Sequence, residues 1–285
     1  MQAPTLDPDI LGQWIGRSET AAEPMAVKPA RLMQATLDRP PSLAAGDPLP
    51  PLWHLLYFFP VEVPMSGLGR DGHPKLGGFL PPVALPRRMW AGGRYRFEAP
   101  LRLGETAERH STITAVSVKE GRSGPLCFVT VEHRYLSEGR LCVTEEHDIV
   151  YREDPSPGAP QPTPKPAPSD GVWRREIRPT PVQLFRYSAI TFNGHRIHYD
   201  RDYCRDVEGY PGLVFHGPLT GTLLAELAQA ESGRDLAAYS FRALSPLFDT
   251  APFHVAGRPE GAGARLWAET PEGGLAMTAE ARFAA

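Results

Sequence analysis

A proline-rich run divides this chain into two halves of similar length. Between positions 155 and 168 proline recurs at every second or third residue. Proline lacks a backbone N–H and fixes φ, so neither a helix nor a central strand suits this run. Each half repeats one order, a short helical pattern followed by strand-like segments. We therefore expect two similar domains, at residues 1–151 and 171–285, joined by an extended connector at residues 152–170.

Alternating apolar and polar side chains predict antiparallel strands in both halves. Helical patterns precede the strands around residues 29–37 and 182–188, and turn signals at 137–139 and 272–274 connect hairpins. The predicted strands are residues 94–99, 105–118, 126–136 and 140–151, and then 238–244, 252–257, 264–269 and 275–282.

A longer helix is predicted from Gly217 to a C-terminal cap at Gly233. Apolar and small residues occupy much of its girth, and such a helix is stable when a sheet wraps around it. The order of elements therefore predicts an α+β fold, a tandem (double) hotdog in which each half is a central helix wrapped by an antiparallel sheet.

Composition excludes several classes of partner. The chain has 285 residues, 22% of them charged, and a net charge of -3, which favours neither nucleic acid nor an anionic membrane surface. No segment approaches the roughly 18 to 20 apolar residues of a membrane span, and the N-terminal segment does not resemble a secretory signal. The three cysteines fit no metal-binding spacing, so we expect reduced thiols and a cytoplasmic protein.

A short polar cluster carries most of the predicted chemistry. Asn193, His195 and His198 lie within six residues, and His216 with Gly217 opens the long helix soon afterwards. Imidazole groups move protons near neutral pH, and a helix start presents free N–H groups to a developing oxyanion. This combination suits chemistry next to a carbonyl group.

Other interpretations of these residues are weaker. Two histidines can bind zinc, but no third ligand is evident at a usable spacing, so we predict no metal. Ser188 suggests a Ser–His hydrolase, although the G-x-S-x-G turn is missing. Cys204 is predicted to be a packed thiol. The histidines could also merely cap a loop.

Two further motifs lie in the first half. Residues 67–72 spell G-x-G-x-x-G, but no strand pattern precedes them and no helix pattern follows, so we predict a flexible loop rather than a dinucleotide site. Arg87 and Arg88 lie beside aromatic residues. They are either a solvated turn or a grip for a phosphate or carboxylate, because arginine offers a bidentate fork.

The second half resembles the MaoC-like (R)-specific enoyl-CoA hydratases. Their motif has an Asp five positions before a His and a His-Gly pair at the start of the central helix; the matching positions here are Asn193, His198, His216 and Gly217. The whole chain resembles the subgroup with an N-terminal FAS1-like dehydratase domain, which includes mesaconyl-C4-CoA and itaconyl-CoA hydratases and the mitochondrial type 2 hydroxyacyl-thioester dehydratases. The segments that carry this resemblance are 15–18 (IGRS), 80–90 (LPPVALPRRMW), 192–198 (FNGHRIH), 209–214 (GYPGLV) and 242–248 (RALSPLF).

The resemblance implies roles for the cluster, with one departure from the family pattern. An amide at position 193 cannot accept a proton usefully, so His198 becomes the chief proton carrier and Asn193 orients the water. His195 ranks second, as a group that positions water or substrate, and the Gly217 N–H receives the thioester carbonyl. The corresponding segment of the first half, residues 35–40, has no histidine, which implies a degenerate half that widens the acyl pocket.

The implied activity is the reversible addition of water to an α,β-unsaturated acyl-CoA, a hydro-lyase reaction. The resemblance points to mesaconyl-C4-CoA or itaconyl-CoA, giving citramalyl-CoA. Candidates to bind the free carboxylate of such an acyl group are Arg87, Arg88 and Arg242. No cofactor is implied, since coenzyme A is part of the substrate. A thioester-binding module or a thioesterase on the same fold remains the alternative, and both monomer and homodimer remain open.

Overall fold

The computed structural model describes residues 4–59, 63–121, 124–154 and 163–284. Ten strands form one antiparallel sheet. The strands are β1 (Ser18–Pro24), β2 (Arg87–Phe97), β3 (Thr106–Gly121), β4 (Gly124–Ser137), β5 (Arg140–Arg152), β6 (Trp173–Ile177), β7 (Leu236–Ala243), β8 (Phe253–Glu260), β9 (Gly263–Glu269) and β10 (Leu275–Phe283). The helices are α1 (Pro8–Gly12), α2 (Val27–Thr36), α3 (Pro181–Ile190), α4 (Arg201–Asp206) and α5 (Gly217–Ser232), and three 3₁₀ turns lie at Trp53–Leu56, Met65–Gly67 and Arg196–His198.

The order of strands repeats in the two halves. The first half runs β1-β3-β4-β5-β2, and the second runs β6-β8-β9-β10-β7 from its own edge to the centre. The strands β2 and β7 pair antiparallel at the centre and join the two halves into one sheet. A Cβ at Gly92 would lie 2.5 Å from the Phe241 carbonyl oxygen, so this central junction requires glycine.

Helix α5 is the central helix of the second half. It begins at Gly217, with His216 as the N-cap, and ends at Ser232. Gly233 is the C-cap, and its φ of 66° is the left-handed conformation that glycine adopts at no steric cost. Leucines and alanines on most sides of α5 are buried against β6 to β10, and Phe241 packs against the bare face of Gly221. Each fully buried leucine contributes about 1.5–3 kcal/mol. The predicted helix and both of its ends are confirmed.

In the first half the position of the central helix is taken by the single turn Trp53–Leu56. Trp53 and Leu56 are buried in the main core, and the turn directs His54 onto the inner face of the sheet. There the Glu145 carboxylate accepts hydrogen bonds from Tyr95 at 3.2 Å and Tyr135 at 2.8 Å, and His54 Nε2 lies 3.2 Å away. Burial alone would raise the pKa of Glu145, but the contact with His54 keeps it below its ordinary value.

The sequence patterns did not predict two of the strands, and a third strand begins earlier than predicted. The edge strands β1 and β6 are mostly polar and partly exposed, so they lack the alternation of a half-buried strand. Strand β2 begins at Arg87 rather than near residue 94, which places Arg87 and Arg88 within the sheet and not in a solvated turn.

The predicted connector is only partly visible. Strand β5 ends at Arg152 and β6 begins at Trp173, but residues 155–162 lie outside the described residues. Residues 165–167 run along the turn between β9 and β10, where Ala167 N donates to Gly273 O at 2.9 Å and Leu275 N donates to Lys165 O at 2.7 Å. No helix in the described part of the chain is long and apolar enough to cross a membrane.

Candidate active site

The segment that carries Asn193, His195 and His198 is shaped by the end of α3. Thr180 caps the start of this helix, and Asn193 N donates to Ser188 O at 2.8 Å where the helix ends. The Asn193 side-chain oxygen then accepts the His195 N–H at 3.0 Å, which closes a local Asx-type turn. Asn193 therefore fixes the loop that presents the two histidines.

His198 is held as a neutral imidazole with one free nitrogen. Its Nδ1 lies 2.8 Å from the Val214 carbonyl oxygen, an acceptor only, so Nδ1 carries the proton and Nε2 keeps its lone pair. The side chain is buried, and this burial lowers the pKa of His198 to about 4. A neutral imidazole with Nε2 free is the form of histidine that accepts a proton from water.

His216 stacks against His198 at the start of α5. The ring centroids are 3.6 Å apart and the rings lie 17° from parallel. His216 Nε2 contacts Ser188 Oγ at 2.9 Å, whereas its Nδ1 has no partner among the described residues. No carboxylate therefore orients His216 as in a serine hydrolase triad, and both residues are buried. The Ser–His contact does not support hydrolase chemistry.

Open space lies beside the first residue of α5. A Cβ built on Gly217 would meet no atom within 4 Å, and the backbone of Gly217 has no left-handed φ that would by itself require glycine. The N–H groups of the first helical turn have no partner within the helix. The start of α5 can therefore receive an oxygen atom next to the stacked histidines.

A loop from the first half completes the cluster. The ring of His73 lies 4.2 Å from that of His195, measured between centroids, and His195 meets His198 edge-on at 5.5 Å. Arg196 N donates to Asp71 O at 2.9 Å, and a Cβ on Gly72 would lie 2.0 Å from Gly194 O. This loop is the G-x-G-x-x-G segment. It follows a 3₁₀ turn rather than a strand, which excludes the dinucleotide fingerprint, and it packs against the polar cluster.

Sequence reasoning missed Asp71 and His73. His73 Nδ1 lies 2.8 Å from Asp71 Oδ2, and His73 N donates to Asp71 Oδ1 at 3.0 Å. The spacing Asp-x-His in a glycine-rich loop was the available signal. With His195 these residues are the one group of possible metal ligands in the described ranges, with donor atoms within 4.8 Å of one another. Both Asp71 oxygens are already engaged by His73, however, so the arrangement is that of a hydrogen-bonded pair.

The three candidate arginines differ in their ion-pair partners. Arg87 is buried and pairs with Glu208 at 2.7 Å and Asp154 at 3.1 Å. Arg88 follows Arg87 on β2, and both arginines line a small pocket together with Asp71 and His195. No ion pair in the described part of the chain involves Arg88. Arg242 is exposed on β7, one residue from the buried Phe241 that packs on α5, so its side chain lies on the outer face of the sheet.

The inner face of the first half carries two further histidines near Arg88. His147 lies opposite Gly93 on this face, and its ring is 3.9 Å from that of Trp90. His133 follows at 6.1 Å from His147. Burial lowers the pKa of His147 to about 4 and that of His133 to about 3; the Glu145 carboxylate opposes this shift, and Arg109 adds to it. The face therefore presents neutral N–H donors together with the Arg88 cation.

The remaining nucleophiles are structural. Cys204 Sγ contacts Ile197 O at 3.1 Å, and burial raises the pKa of the Cys204 thiol to about 11. Cys127 and Cys142 are also buried and free. The prediction of a packed thiol at Cys204 is confirmed.

Comparison with known proteins gives one consistent family. The model of the family described as hydroxyacyl-thioester dehydratase type 2 matches residues 52–249. Mesaconyl-C(4)-CoA hydratase of Chloroflexus aurantiacus is 49% identical over 270 residues, which cover 93% of this chain and 95% of that protein.

Solved structures agree on the fold. HtdX of Mycobacterium tuberculosis superposes with a TM-score of 0.66 at 19% identity and covers 94% of this chain and 100% of its own. A second protein of that organism, described as a double hotdog fold, gives a TM-score of 0.56 at 10% identity, with 94% and 95% covered. The predicted double hotdog is confirmed.

Proposed function

The chain belongs to the hydroxyacyl-thioester dehydratase type 2 family, and from that membership we propose that it adds water reversibly to mesaconyl-C4-CoA to give citramalyl-CoA. Of the two acyl groups that the sequence left open, mesaconyl is favoured over itaconyl by the extensive similarity to a hydratase of mesaconyl-C4-CoA. The single observation in the structure that carries the proposal is His198, a neutral imidazole with Nε2 free beside the start of α5.

His198 acts as the base and then as the acid. Water attacks the β-carbon while its proton passes to His198 Nε2, and the electron pair of the double bond moves towards the thioester. The same proton then returns from His198 to the α-carbon. Asn193 orients the water through its amide, and His195 borders the same space.

The start of α5 stabilises the enolate. As water adds, negative charge accumulates on the thioester oxygen, and the Gly217 N–H with the positive end of the helix dipole favours that charge. The empty space beside Gly217 supports this placement, because a side chain there would project into it.

Arg88 binds the free carboxylate of the acyl group. Arg88 lines the pocket and has no ion pair among the described residues. Arg87, by contrast, is paired with Glu208, and Arg242 lies on the outer face of the sheet. His147 and His133 extend the polar surface along the first half. A carboxylate on the acyl chain fits such a surface better than a fatty chain does.

The test is a comparison of acyl-CoA substrates. The protein is incubated with mesaconyl-C4-CoA, itaconyl-CoA and crotonyl-CoA, and the loss of enoyl-thioester absorbance is followed together with the release of free thiol. We expect the highest kcat/KM with mesaconyl-C4-CoA and a product heavier by one water. Release of thiol without hydration would indicate a thioesterase instead, and binding without turnover would indicate a thioester-binding module.

A further inference from the structure

The proposed reaction creates a positive charge in a place that tolerates it poorly. When His198 takes the proton from water it becomes an imidazolium, buried against His216 and beside His195. Burial and the neighbouring imidazoles already lower the pKa of His195 and His216 well below the ordinary value. A charge arising there needs a counter-charge, and the amide of Asn193 cannot supply one.

Asp71 is the carboxylate that the structure brings to this cluster. It is held by two hydrogen-bonding contacts to His73, whose ring packs on His195, and so it follows His198, His195 and His73 in one contiguous row. Glu208 lines the same small pocket but is paired with Arg87. Arg88, the nearby cation, lowers the pKa of His195 and His73, whereas Asp71 raises it.

The loop that carries Asp71 is fitted to the polar segment. The close approach of Gly72 to Gly194 leaves no room for a side chain at residue 72, and the Arg196 N–H donates to the Asp71 backbone oxygen. The first half therefore contributes a carboxylate to the site of the second half at a fixed position.

We propose that the Asp71–His73 pair is a positioning device of the active site, which holds His195 in place and supplies the negative charge that the amide at position 193 lacks. The pair acts through His195 on the imidazolium of His198 and need not touch the substrate. This inference rests on the proposed hydration reaction.

The test uses two substitutions, one that removes the carboxylate at position 71 and one that introduces a carboxylate at position 193. Asp71→Asn keeps the shape of the side chain and removes its charge. We expect kcat for mesaconyl-C4-CoA to fall about 3- to 30-fold with KM changed less than about threefold, because a group that acts through an intervening residue changes the coupling by about 0.5–2 kcal/mol. The acid limb of the pH profile should move to lower pH, since His198 loses a group that favours its protonated form.

The double variant Asp71→Asn/Asn193→Asp should recover most of the lost kcat, since the carboxylate returns at position 193. Asp202→Asn, an exposed carboxylate on α4, serves as the matched control and should leave kcat unchanged. Binding of a saturated acyl-CoA and the melting temperature show that each variant keeps its folded site.

Several results would overturn the inference. If Asp71→Asn has the wild-type kcat, the pair has no role in the reaction. If kcat falls in Asp71→Asn and the added Asn193→Asp substitution does not restore it, the carboxylate does not act as the negative charge missing at position 193. If the wild-type protein binds one metal ion per chain and Asp71→Asn does not, Asp71 and His73 are metal ligands and not a positioning pair. Wild-type protein without hydratase activity would instead refute the proposed function.

Discussion

His198 owes its chemical form to one backbone contact. The Val214 carbonyl fixes the proton on Nδ1. Burial lowers the pKa of the ring, so His198 stays neutral at pH values well below the ordinary pKa of histidine. The side chain is therefore a weaker base than free imidazole, but it is almost wholly in the form that accepts a proton at neutral pH. Its companion at position 193 is an amide that holds the loop. In the proposed reaction His198 therefore transfers the proton, and Asn193 positions the reacting groups.

This division predicts an unusual pH profile. The base is active when deprotonated, and the pKa of His198 is lowered to about 4, so kcat/KM should stay level as pH falls from 8 to about 5 and decline only as pH approaches 4. Initial rates in a constant-ionic-strength buffer series measure this directly. An acid limb near 6.5 would mean that the free enzyme's base is a solvated histidine.

Arg88 predicts discrimination between substrates. Arg88→Ala should raise KM for mesaconyl-C4-CoA by about 10- to 100-fold, the value of a charge-assisted hydrogen-bonded contact of about 1.5–3 kcal/mol, and should change KM for crotonyl-CoA little. Arg96→Ala, on the opposite face of the same strand and 58% exposed, is the control. Equal losses for both substrates would assign Arg88 to the CoA phosphates instead.

At the scale of elements, the site depends on two loops that meet across the halves. Residues 69–73 reach the polar segment only because both loops carry glycine where they touch. This contact links the orientation of His73, and through it that of His195, to the packing of the first half on the second.

Two glycines with the same backbone conformation test this contact. Gly72 has a φ of 88° and no room for a Cβ, whereas Gly16 has a φ of 86° and open space around it. Alanine at either position costs about 1–2 kcal/mol of backbone strain. Only Gly72→Ala should also lower kcat, by about tenfold or more, because it displaces Asp71 and His73. Similar kcat values for the two variants would show that the loop does not affect the chemistry.

The elements differ in how far the sequence predicted them. Helix α5 was predictable from its apolar and small residues between Gly217 and Gly233, and the strands β3 to β5 and β7 to β10 from apolar and polar alternation between turn signals. The edge strands β1 and β6 were not, since their side chains are largely solvated. The pairing of Arg87 rather than Arg88 with Glu208 depended on the register of β2, which local composition does not encode.

The candidate site shows the same limit. Asn193, His195, His198 and Gly217 form a short linear motif and were found from the sequence. Asp71 and His73 come from the other half of the chain, and only the pairing of β2 with β7 and the packing of the loops bring them near. A contact made across a tandem repeat leaves no periodic signal in the sequence.

The whole molecule buries many neutral histidines, and this predicts sensitivity to acid. Burial lowers the folded-state pKa of His133, His147, His195, His198 and His216. Below about pH 6.5, the ordinary pKa of histidine in the unfolded chain, these histidines bind protons in the unfolded state but not in the folded state. The free energy of unfolding therefore falls as pH decreases from 6.5 towards 4. For His198 alone the loss at pH 5 is about 2 kcal/mol.

Melting temperatures between pH 8 and pH 5 measure this loss. We expect a level value above pH 7 and a steep decrease below pH 6.5. His198→Gln should show a smaller decrease than the wild-type protein, whereas His110→Gln, at an exposed histidine, should match it. A melting temperature independent of pH over this range would contradict the neutral, buried state of these rings.

The role of His198 as the base is decided by the initial rates of mesaconyl-C4-CoA hydration for the wild-type protein and His198→Ala, measured side by side. Loss of the base should lower kcat by about 10²- to 10⁴-fold, the usual contribution of general acid–base catalysis, while binding of a saturated acyl-CoA is retained. A folded His198→Ala protein that hydrates mesaconyl-C4-CoA at the wild-type rate would show that His198 is structural and not the base.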